Sequence, residues 1–370
     1  MTPSCDRTVF VHDWLNGMRG GEKCLDLFSR DFPGAPVYTL LADRSALSLQ
    51  LLSHPIVASG MLARLPFFPR RYRWFLPLFP RAIEAFALPE GTKLVVSMSH
   101  CVAKGVRPPP GAKHLCYCFT PMRYAWDMSA AYFGRGLKHA VLSPFLARLR
   151  EWDRASAARV DRFVAISECV RKRIADHYGR EASVVYPPVD LDFFTPDPKV
   201  AREDFWIVAG AMVPYKRVDL AIDAAKLSGR RLVVVGTGSE ERALRERARG
   251  AANVEFAGKV DDETLRDLYR RCRCLLFPGE EDFGIVPVEA QACGAPVVAY
   301  AAGGALETLV EDGTAVFFRE ETPYALLAAA EKLSGMFFSH ADLRKNAERF
   351  SAKRFLDGLH AEVETLLRGD

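Results

Sequence analysis

The sequence predicts an α/β protein made of two doubly wound parallel sheets. Its 370 residues exceed what one ordinary core accommodates, so two domains are expected. Apolar, β-rich runs alternate with helical patterns along the chain. That alternation belongs to parallel sheets covered by helices on both faces. A stretch rich in Pro and Asp, PPVDLDFFTPDPKVARED (187–204), interrupts it. The chain therefore reads as two Rossmann-like halves, residues 1–187 and 205–350, joined by a linker at 188–204 and followed by a tail at 351–370. Ligands of doubly wound sheets bind at the carboxyl ends of the strands, so a cleft between the two halves is the expected site.

The elements follow in order. RTVFVHDW (7–14), KLVVSMS (93–99), HLCYCF (114–119), RFVAIS (162–167) and SVVYPP (183–188) are the strands of the first half. FWIVAGAM (205–212), RLVVVGTG (231–238), VEFAGKV (254–260), CLLFPG (274–279) and PVVAY (296–300) are those of the second. Each is short, apolar and rich in β-branched residues, as a strand buried on both faces should be. RVDLAIDAAKLSG (217–229) and DETLRDLYRRC (262–272) space their apolar residues three and four apart, which is helical.

Composition narrows the class. Apolar residues make up 49% and charged residues 26%, the balance of a soluble globular protein. The nine cysteines are scattered and form no C-x-x-C pair, which argues for reduced thiols in a cytoplasm and against a disulfide framework or a zinc site. Cys116 with Cys118, and Cys272 with Cys274, alternate along expected strands, so each pair is expected on one face of a sheet. The start MTPSCDRTVFVHDW lacks the apolar region of a signal peptide. No apolar run approaches the roughly 20 residues of a membrane span. The net charge is +4, yet residues 44–126 hold eleven Lys or Arg and only two acids, Glu84 and Glu90. Such a region is either a solvated basic face or a surface for an anionic partner such as a lipid headgroup or a phosphate.

PGEEDFGIVPVEAQACGAPVVAY (278–300) places carboxylates on both sides of an apolar loop. A core accepts charge only when it is paired or bound. CLLFPG reads as a strand and EEDFG as the loop at its carboxyl end. Pro287 suits a helix first turn, and Glu289 is expected in that same turn. The N–H groups of FGIV and the helix dipole then favour an oxygen-rich ligand, and carboxylates accept hydrogen bonds from sugar hydroxyls. Two plainer readings stand beside this one: Glu281 as a solvated loop acid and Glu289 as a self-capping residue. GTGSEE (236–241) hints at a dinucleotide loop but lacks the full glycine fingerprint.

The spacing Glu281-x7-Glu289, with Phe283-Gly284, Pro287 and the following ACGAPVVA, resembles the signature of retaining glycosyltransferase family 4. VPYKRVDLAIDA (213–224), VVVGTGSE (233–240), FAGKVDDETLRDLY (256–269) and AAGGALETLVEDGTAVFF (301–318) are similar to that family's other donor-domain blocks. HDWLNGMRGGEKCLDLF (12–28) resembles its glycine-rich first turn. SMSHCVAKGV (97–106) and CYCFTPMRYAWDM (116–128) resemble the bacterial mannosyltransferase-like branch that builds O-antigens and related polysaccharides. The resemblance spans nearly the whole chain. It implies a GT-B fold, with an acceptor domain at 1–187, a donor domain at 205–350 and a C-terminal helix at 351–370 returning to the N-terminal domain. It further implies an enzyme that transfers a hexose from a nucleotide-sugar with retention; the cysteines add a cytoplasmic location, and the basic, aromatic segment at 64–88 adds the reading of peripheral contact with the inner membrane face. GDP-mannose is the favoured donor, and no metal or other cofactor is required.

The resemblance also assigns residues. Lys216 contacts the diphosphate, with Arg217 as a second cation beside it. Gly20 and Gly21 let the first loop approach the same region. Glu281 and the N–H groups near Phe283, Gly284 and Ile285 hold the donor sugar, and Glu289 accepts from ribose hydroxyls. No D-x-D triplet stands at a strand end, so cations and N–H dipoles are expected to carry the leaving-group charge. Position at expected strand ends, and not the resemblance, makes His100, Arg123, Tyr124 and Asp127 candidate acceptor contacts, the acceptor being a glycan or a lipid-linked glycan. Two positions depart from the pattern. Ala211 stands where the family has an arginine, and Phe119 stands where the branch has the histidine of YCHTP. Hence three other readings are weighed: a nucleotide-sugar-binding protein with weak or no transfer, a sugar-nucleotide epimerase, and an NAD enzyme. RLPFFPRRYRWFLPLFPRAIEAFAL (64–88) mixes arginines with aromatics. It reads either as a membrane-interfacial segment or as a core-packed hairpin lining an arginine-rich acceptor cleft. Four prolines argue against one long helix, and no motif supports nucleic-acid binding.

Overall fold

The computed structural model describes residues 7–127 and 137–369. Cys5, Met128 and Asp370, which the motifs and counts above include, lie outside them. The chain divides into two compact units. The first is Met1–Pro187 with Phe355–Asp370, and the second is Pro188–Arg354.

Unit 1 is a seven-stranded parallel sheet. Its strands are β1 (Thr8–His12), β2 (Val37–Thr39), β3 (Ile56–Ala58), β4 (Leu94–Ser99), β5 (Lys113–Cys118), β6 (Arg162–Ala165) and β7 (Ala182–Val184), in the order β3-β2-β1-β4-β5-β6-β7. All neighbours run parallel. Every residue of β1 and β4 is buried, which explains their continuous apolar sequence. The strands β2 and β3 were not among those expected; three residues each are too few to show a period. Helix Ala352–Arg368 buries Phe355, Leu359, Val363 and Leu366, a stripe at helical spacing. Phe355 meets the rings of Tyr117 and Phe28 at 5.6 and 6.5 Å, and Glu362 pairs with Arg162.

Unit 1 also holds a buried charge. The Lys104 ammonium donates to Asp153 Oδ1 at 2.7 Å, to the Asp153 carbonyl at 2.8 Å and to Ser156 Oγ at 2.7 Å. Asp153 Oδ2 accepts from Trp126 Nε1 and Tyr178 OH, both at 2.8 Å. With each ammonium proton placed, the pair is tolerated in the core.

Unit 2 is a six-stranded parallel sheet of β8 (Phe205–Ala209), β9 (Arg231–Val235), β10 (Val254–Gly258), β11 (Cys274–Phe277), β12 (Val297–Tyr300) and β13 (Ala315–Phe318), ordered β10-β9-β8-β11-β12-β13. The strand β13 inside DGTAVFF is a further one the sequence reading does not list. Residues 188–204 are stitched to this unit. Arg344 donates to the carbonyls of Leu191 and Phe194, Arg270 to that of Thr195, and Arg202 to that of Cys272. The expected pairing of Cys272 with Cys274 on one strand face does not hold, because Cys272 caps the helix Asp262–Arg271 and only Cys274 lies in β11. Burial pushes the Cys272 and Cys293 thiols up to about 12, so both are inert as nucleophiles.

Each sheet reverses its strand order once, between β1 and β4 in unit 1 and between β8 and β11 in unit 2. Crevices open at such switch points, outside the carboxyl ends of the strands.

Candidate functional site

In unit 2 the switch point is lined by the loops after β8 and β11. The first runs from Gly210 to a 3-10 turn at Pro214–Lys216, and helix Val218–Ser228 follows. The second runs from Pro278 to Gly284, and helix Ile285–Ala292 follows. The Lys216 ammonium pairs with Glu281 Oε1 across the two loops, each side chain less than one-fifth exposed. The phenyl ring of Phe277, the last residue of β11, lies 5.8 Å from that ammonium.

Glycines make this approach possible. A Cβ on Gly279 would lie 2.2 Å from the Tyr215 carbonyl oxygen, one residue before Lys216. A Cβ on Gly304 would lie 2.3 Å from the Phe283 backbone, while its N–H donates to the Glu281 carbonyl at 2.8 Å. So the Gly-Gly of AAGGALE fixes the glutamate loop from the neighbouring strand end.

Helix Ile285–Ala292 starts at Gly284, whose φ of 91° suits glycine, and no side chain caps it. Phe283 is buried against the Phe350 ring at 5.3 Å. Since the helix begins at Ile285, Pro287 is its third residue and Glu289 its fifth. Glu289 therefore lies past the first turn, a correction to the register expected from Pro287. Its Oε2 is 3.5 Å from the hydroxyl of the buried Tyr269. Burial, reinforced by that carboxylate, holds the Tyr269 phenol protonated well above its ordinary range. Arg217 takes a different direction from Lys216. It sits at φ 50° and its guanidinium engages Asp219 at 3.2 Å and Glu321 at 2.8 Å. Ala211 is exposed, two residues past the end of β8.

In unit 1 the corresponding switch point is organised by Asp13, a residue the sequence reading did not single out. Its carboxylate is fully buried. Oδ2 accepts from the N–H groups of His100 and Cys101 at 2.7 and 2.9 Å, and Oδ1 from those of Val102 and Ala103 at 2.6 and 2.7 Å. His100 Nδ1 lies 3.1 Å from Oδ2. The available signal was an acid directly after an apolar strand, facing a segment that needs partners for its N–H groups.

His12, the last residue of β1, is fully buried and its Nδ1 lies 2.9 Å from the Trp14 carbonyl. A carbonyl only accepts, so Nδ1 carries the proton and Nε2 the lone pair. That Nε2 has no hydrogen-bond partner. Desolvation, with the His100 charge second, lowers its pKa to about 4, so the ring is neutral at pH 7. A Cβ on Gly21 would lie 3.3 Å from His12 Nε2 and from the Phe119 ring. Gly20 and Gly21 are the first residues of helix Gly20–Ser29, and the space that Gly21 leaves is taken by His12 and Phe119. Phe119 is ringed by Tyr117, His100 and His12 at 5.3, 6.2 and 6.3 Å.

The expected acceptor residues fall into two groups. His100 belongs to the Asp13 cluster, with the Trp14 ring 4.4 Å away, and desolvation lowers its pKa against the opposing pull of Asp13. Asp127 is held by His177 at 3.1 Å and Arg173 at 3.5 Å on helix Glu168–Tyr178, and the His177 hydrogen bond lowers its pKa. Arg123 and Tyr124 are half-buried between these groups in sequence, and Tyr124 packs against the unit 1 core.

Comparison with known proteins is consistent across both units. Residues 193–350 match the family described as "Glycosyl transferases group 1", and residues 37–193 match "Glycosyltransferase Family 4". A D-inositol 3-phosphate glycosyltransferase of Geodermatophilus obscurus is 38% identical over 242 residues, covering 55% of this chain and 52% of that protein. The chain thus spans about half the length of the curated relatives it matches. Among solved structures, sucrose-phosphate synthase of Thermosynechococcus elongatus superposes with a TM-score of 0.74 at 17% identity, covering 98% of this chain and all of that one. Anabaena HepE in complex with UDP gives 0.71 at 16% identity, covering 96% and 100%. Both likenesses show the fold. The two parallel-sheet units and the two consecutive family matches place the chain in the group 1/family 4 glycosyltransferases of GT-B fold.

Proposed function

We propose that the chain is a retaining, metal-independent glycosyltransferase. It moves a hexose, mannose from GDP-mannose first among candidates, onto a glycan or lipid-linked acceptor in surface polysaccharide assembly. The observation that carries this is the Lys216–Glu281 pair beside the uncapped start of helix Ile285–Ala292. Departure of a nucleoside diphosphate gathers negative charge. Lys216 and the first N–H groups of that helix supply positive charge where it develops. Glu281 accepts from hydroxyls of the transferred sugar, Glu289 from those of the ribose, and Gly284 and Ile285 offer backbone donors. Arg217 has carboxylates of its own and serves to orient the turn that carries Lys216. Unit 1 is assigned the acceptor.

One observation favours a second reading, a nucleotide-sugar-binding protein with weak or no transfer. Ala211 and Phe119 put apolar groups where the family pattern has a cation and an imidazole. The test is a thermal-shift screen against GDP, UDP and ADP with their common sugars, since a ligand of the native state alone raises its stability. Turnover follows with a lipid-linked acceptor extract and with inositol phosphate, the latter because of the name of the relatives. UDP-glucose belongs in the panel because Anabaena HepE was solved with it. Stabilisation by a nucleotide-sugar, with acceptor-dependent turnover that survives EDTA, is the expected result. Binding without turnover selects the second reading, donor conversion without acceptor selects an epimerase, and a strict need for added Mg²⁺ or Mn²⁺ refutes the charge assignment.

The two glutamates should separate. Glu289→Gln is expected to weaken binding of the free nucleoside diphosphate roughly tenfold, about the worth of one hydrogen bond to a charged group. Glu281→Gln should leave that affinity intact or raised, because Lys216 loses a competing carboxylate, while turnover falls. Calorimetric titration of both variants, paired with donor kinetics, checks this. Equal losses of nucleotide affinity would sink the assignment.

A further inference from the structure

We propose that the β3 edge of unit 1, continued through residue 81, seats on an anionic lipid surface. Eleven large apolar side chains are exposed among the described residues, and five of them, Leu49, Val57, Met61, Phe67 and Trp74, fall within 26 consecutive residues. The other six are spread from Leu227 to Leu367. Scattered single exposures are ordinary, whereas a cluster marks an interaction surface. Phe67 and Trp74 are 74% and 70% exposed. Phe67 also holds a left-handed backbone, φ 62°, a conformation disfavoured for a bulky residue. A strained backbone that keeps an aromatic ring in water is unfavourable twice over, and a partner surface would remove the second cost.

The charge around these residues is unbalanced. No acid occurs between Arg44 and Ile83. Glu84, the next one, is already occupied by Arg107, Arg159 and Trp152 Nε1. Arg64, Arg71 and Arg81 are exposed, and none has a carboxylate within ion-pair distance among the described residues. Many exposed arginines elsewhere are paired, for example Arg171 with Glu168, Arg247 with Asp223 and Arg319 with Glu311. Arg71 lies over the Trp74 ring at 4.3 Å, so its charge and that aromatic form one amphipathic unit.

The same segment is anchored from beneath. Phe68, Tyr72, Leu76 and Phe79 are buried in the unit 1 core. The arginines and exposed rings are therefore presented by a fixed scaffold. Unpaired cations beside aromatic and aliphatic side chains fit the headgroup–acyl boundary of a bilayer. They fit single-stranded nucleic acid less well, because one face of Trp74 is covered by Arg71 and the aliphatic members offer no stacking platform. This inference does not rest on the transferase reading; a chain that bound no nucleotide could still sit on this surface.

The test is co-sedimentation of the full chain with phosphatidylcholine vesicles, with and without phosphatidylglycerol, at low and physiological salt. Binding is expected only with phosphatidylglycerol and should weaken as salt rises. At roughly fivefold per basic residue near an anionic surface, the triple change Arg64→Glu, Arg71→Glu, Arg81→Glu should cut affinity about 100-fold or more, with an unchanged melting temperature as the folding control. A blue shift of tryptophan fluorescence on binding, lost in Trp74→Phe, would place that ring in the lipid without relying on a charge variant. Equal binding of the triple variant, no binding to anionic vesicles at low salt, or a preference for a single-stranded oligonucleotide over such vesicles would each overturn the proposal.

Discussion

Asp13→Asn should cost unit 1 roughly 3–5 kcal/mol of folding stability, the magnitude of a broken buried charged network. The carboxylate is wholly buried and four backbone N–H groups converge on it. An amide keeps one acceptor oxygen and turns a pair of N–H donors of its own toward groups that also donate. Those backbone groups have no water to fall back on, and each unsatisfied buried donor costs about 1–3 kcal/mol. Whole-domain stabilities are only about 5–15 kcal/mol, so the variant should be detectably unfolded at modest urea. Urea unfolding followed by circular dichroism measures this directly. A loss below about 1 kcal/mol would mean that the residues after β4 find other partners, and the stated role of Asp13 would be wrong.

Lys216→Ala should do the opposite, sparing stability and removing function. The Lys216 and Glu281 side chains keep 14% and 17% exposure, so the glutamate left behind can still reach water and the folding cost stays below that of breaking a fully buried pair. Loss of one preorganised cation at a developing anion costs roughly 10²–10³ in turnover. Glu281 would then stand beside the diphosphate without a counter-charge, so affinity for the nucleotide-sugar should fall as well. Lys216→Arg keeps the charge but not the point-like ammonium geometry, and intermediate activity is expected. The measurement is turnover of the three proteins on one donor together with their melting temperatures. Turnover of the alanine variant within threefold of the native chain would end the assignment of Lys216 to the leaving group.

Much of the scaffold was legible because parallel strands buried on both faces write themselves as near-continuous apolar runs, as LVVSM does in β4 and LVVV in β9. What escaped was either too short or too distant to see. The strands β2 and β3 have three residues each, below the length at which a period shows. The partners of Asp13 lie 87 to 90 residues away, so its burial is a tertiary fact. The register of Glu289 turned on where its helix begins. Pro287 suggested one start, whereas the left-handed Gly284 fixes another. The pairing of Lys216 with Glu281 joins two motifs that the sequence could name separately but not bring together. For Arg217, proximity in sequence to Lys216 suggested a shared target; its left-handed backbone sends the guanidinium to Asp219 and Glu321 instead.

The C-terminal helix has a consequence for the order of events during synthesis. Phe28 and Tyr117 leave the ribosome early, yet the phenyl ring of Phe355 that covers them emerges only after the whole of unit 2. Domains generally fold as units as they are made, N-terminal first. Here the first-made unit waits for residues made after the second, with all of Pro188–Arg354 translated in between. For that interval an apolar stripe's worth of docking surface on the nascent unit stays open to solvent. Its completion therefore follows the synthesis of all of unit 2, which makes the closing of this helix a late event in the folding of unit 1.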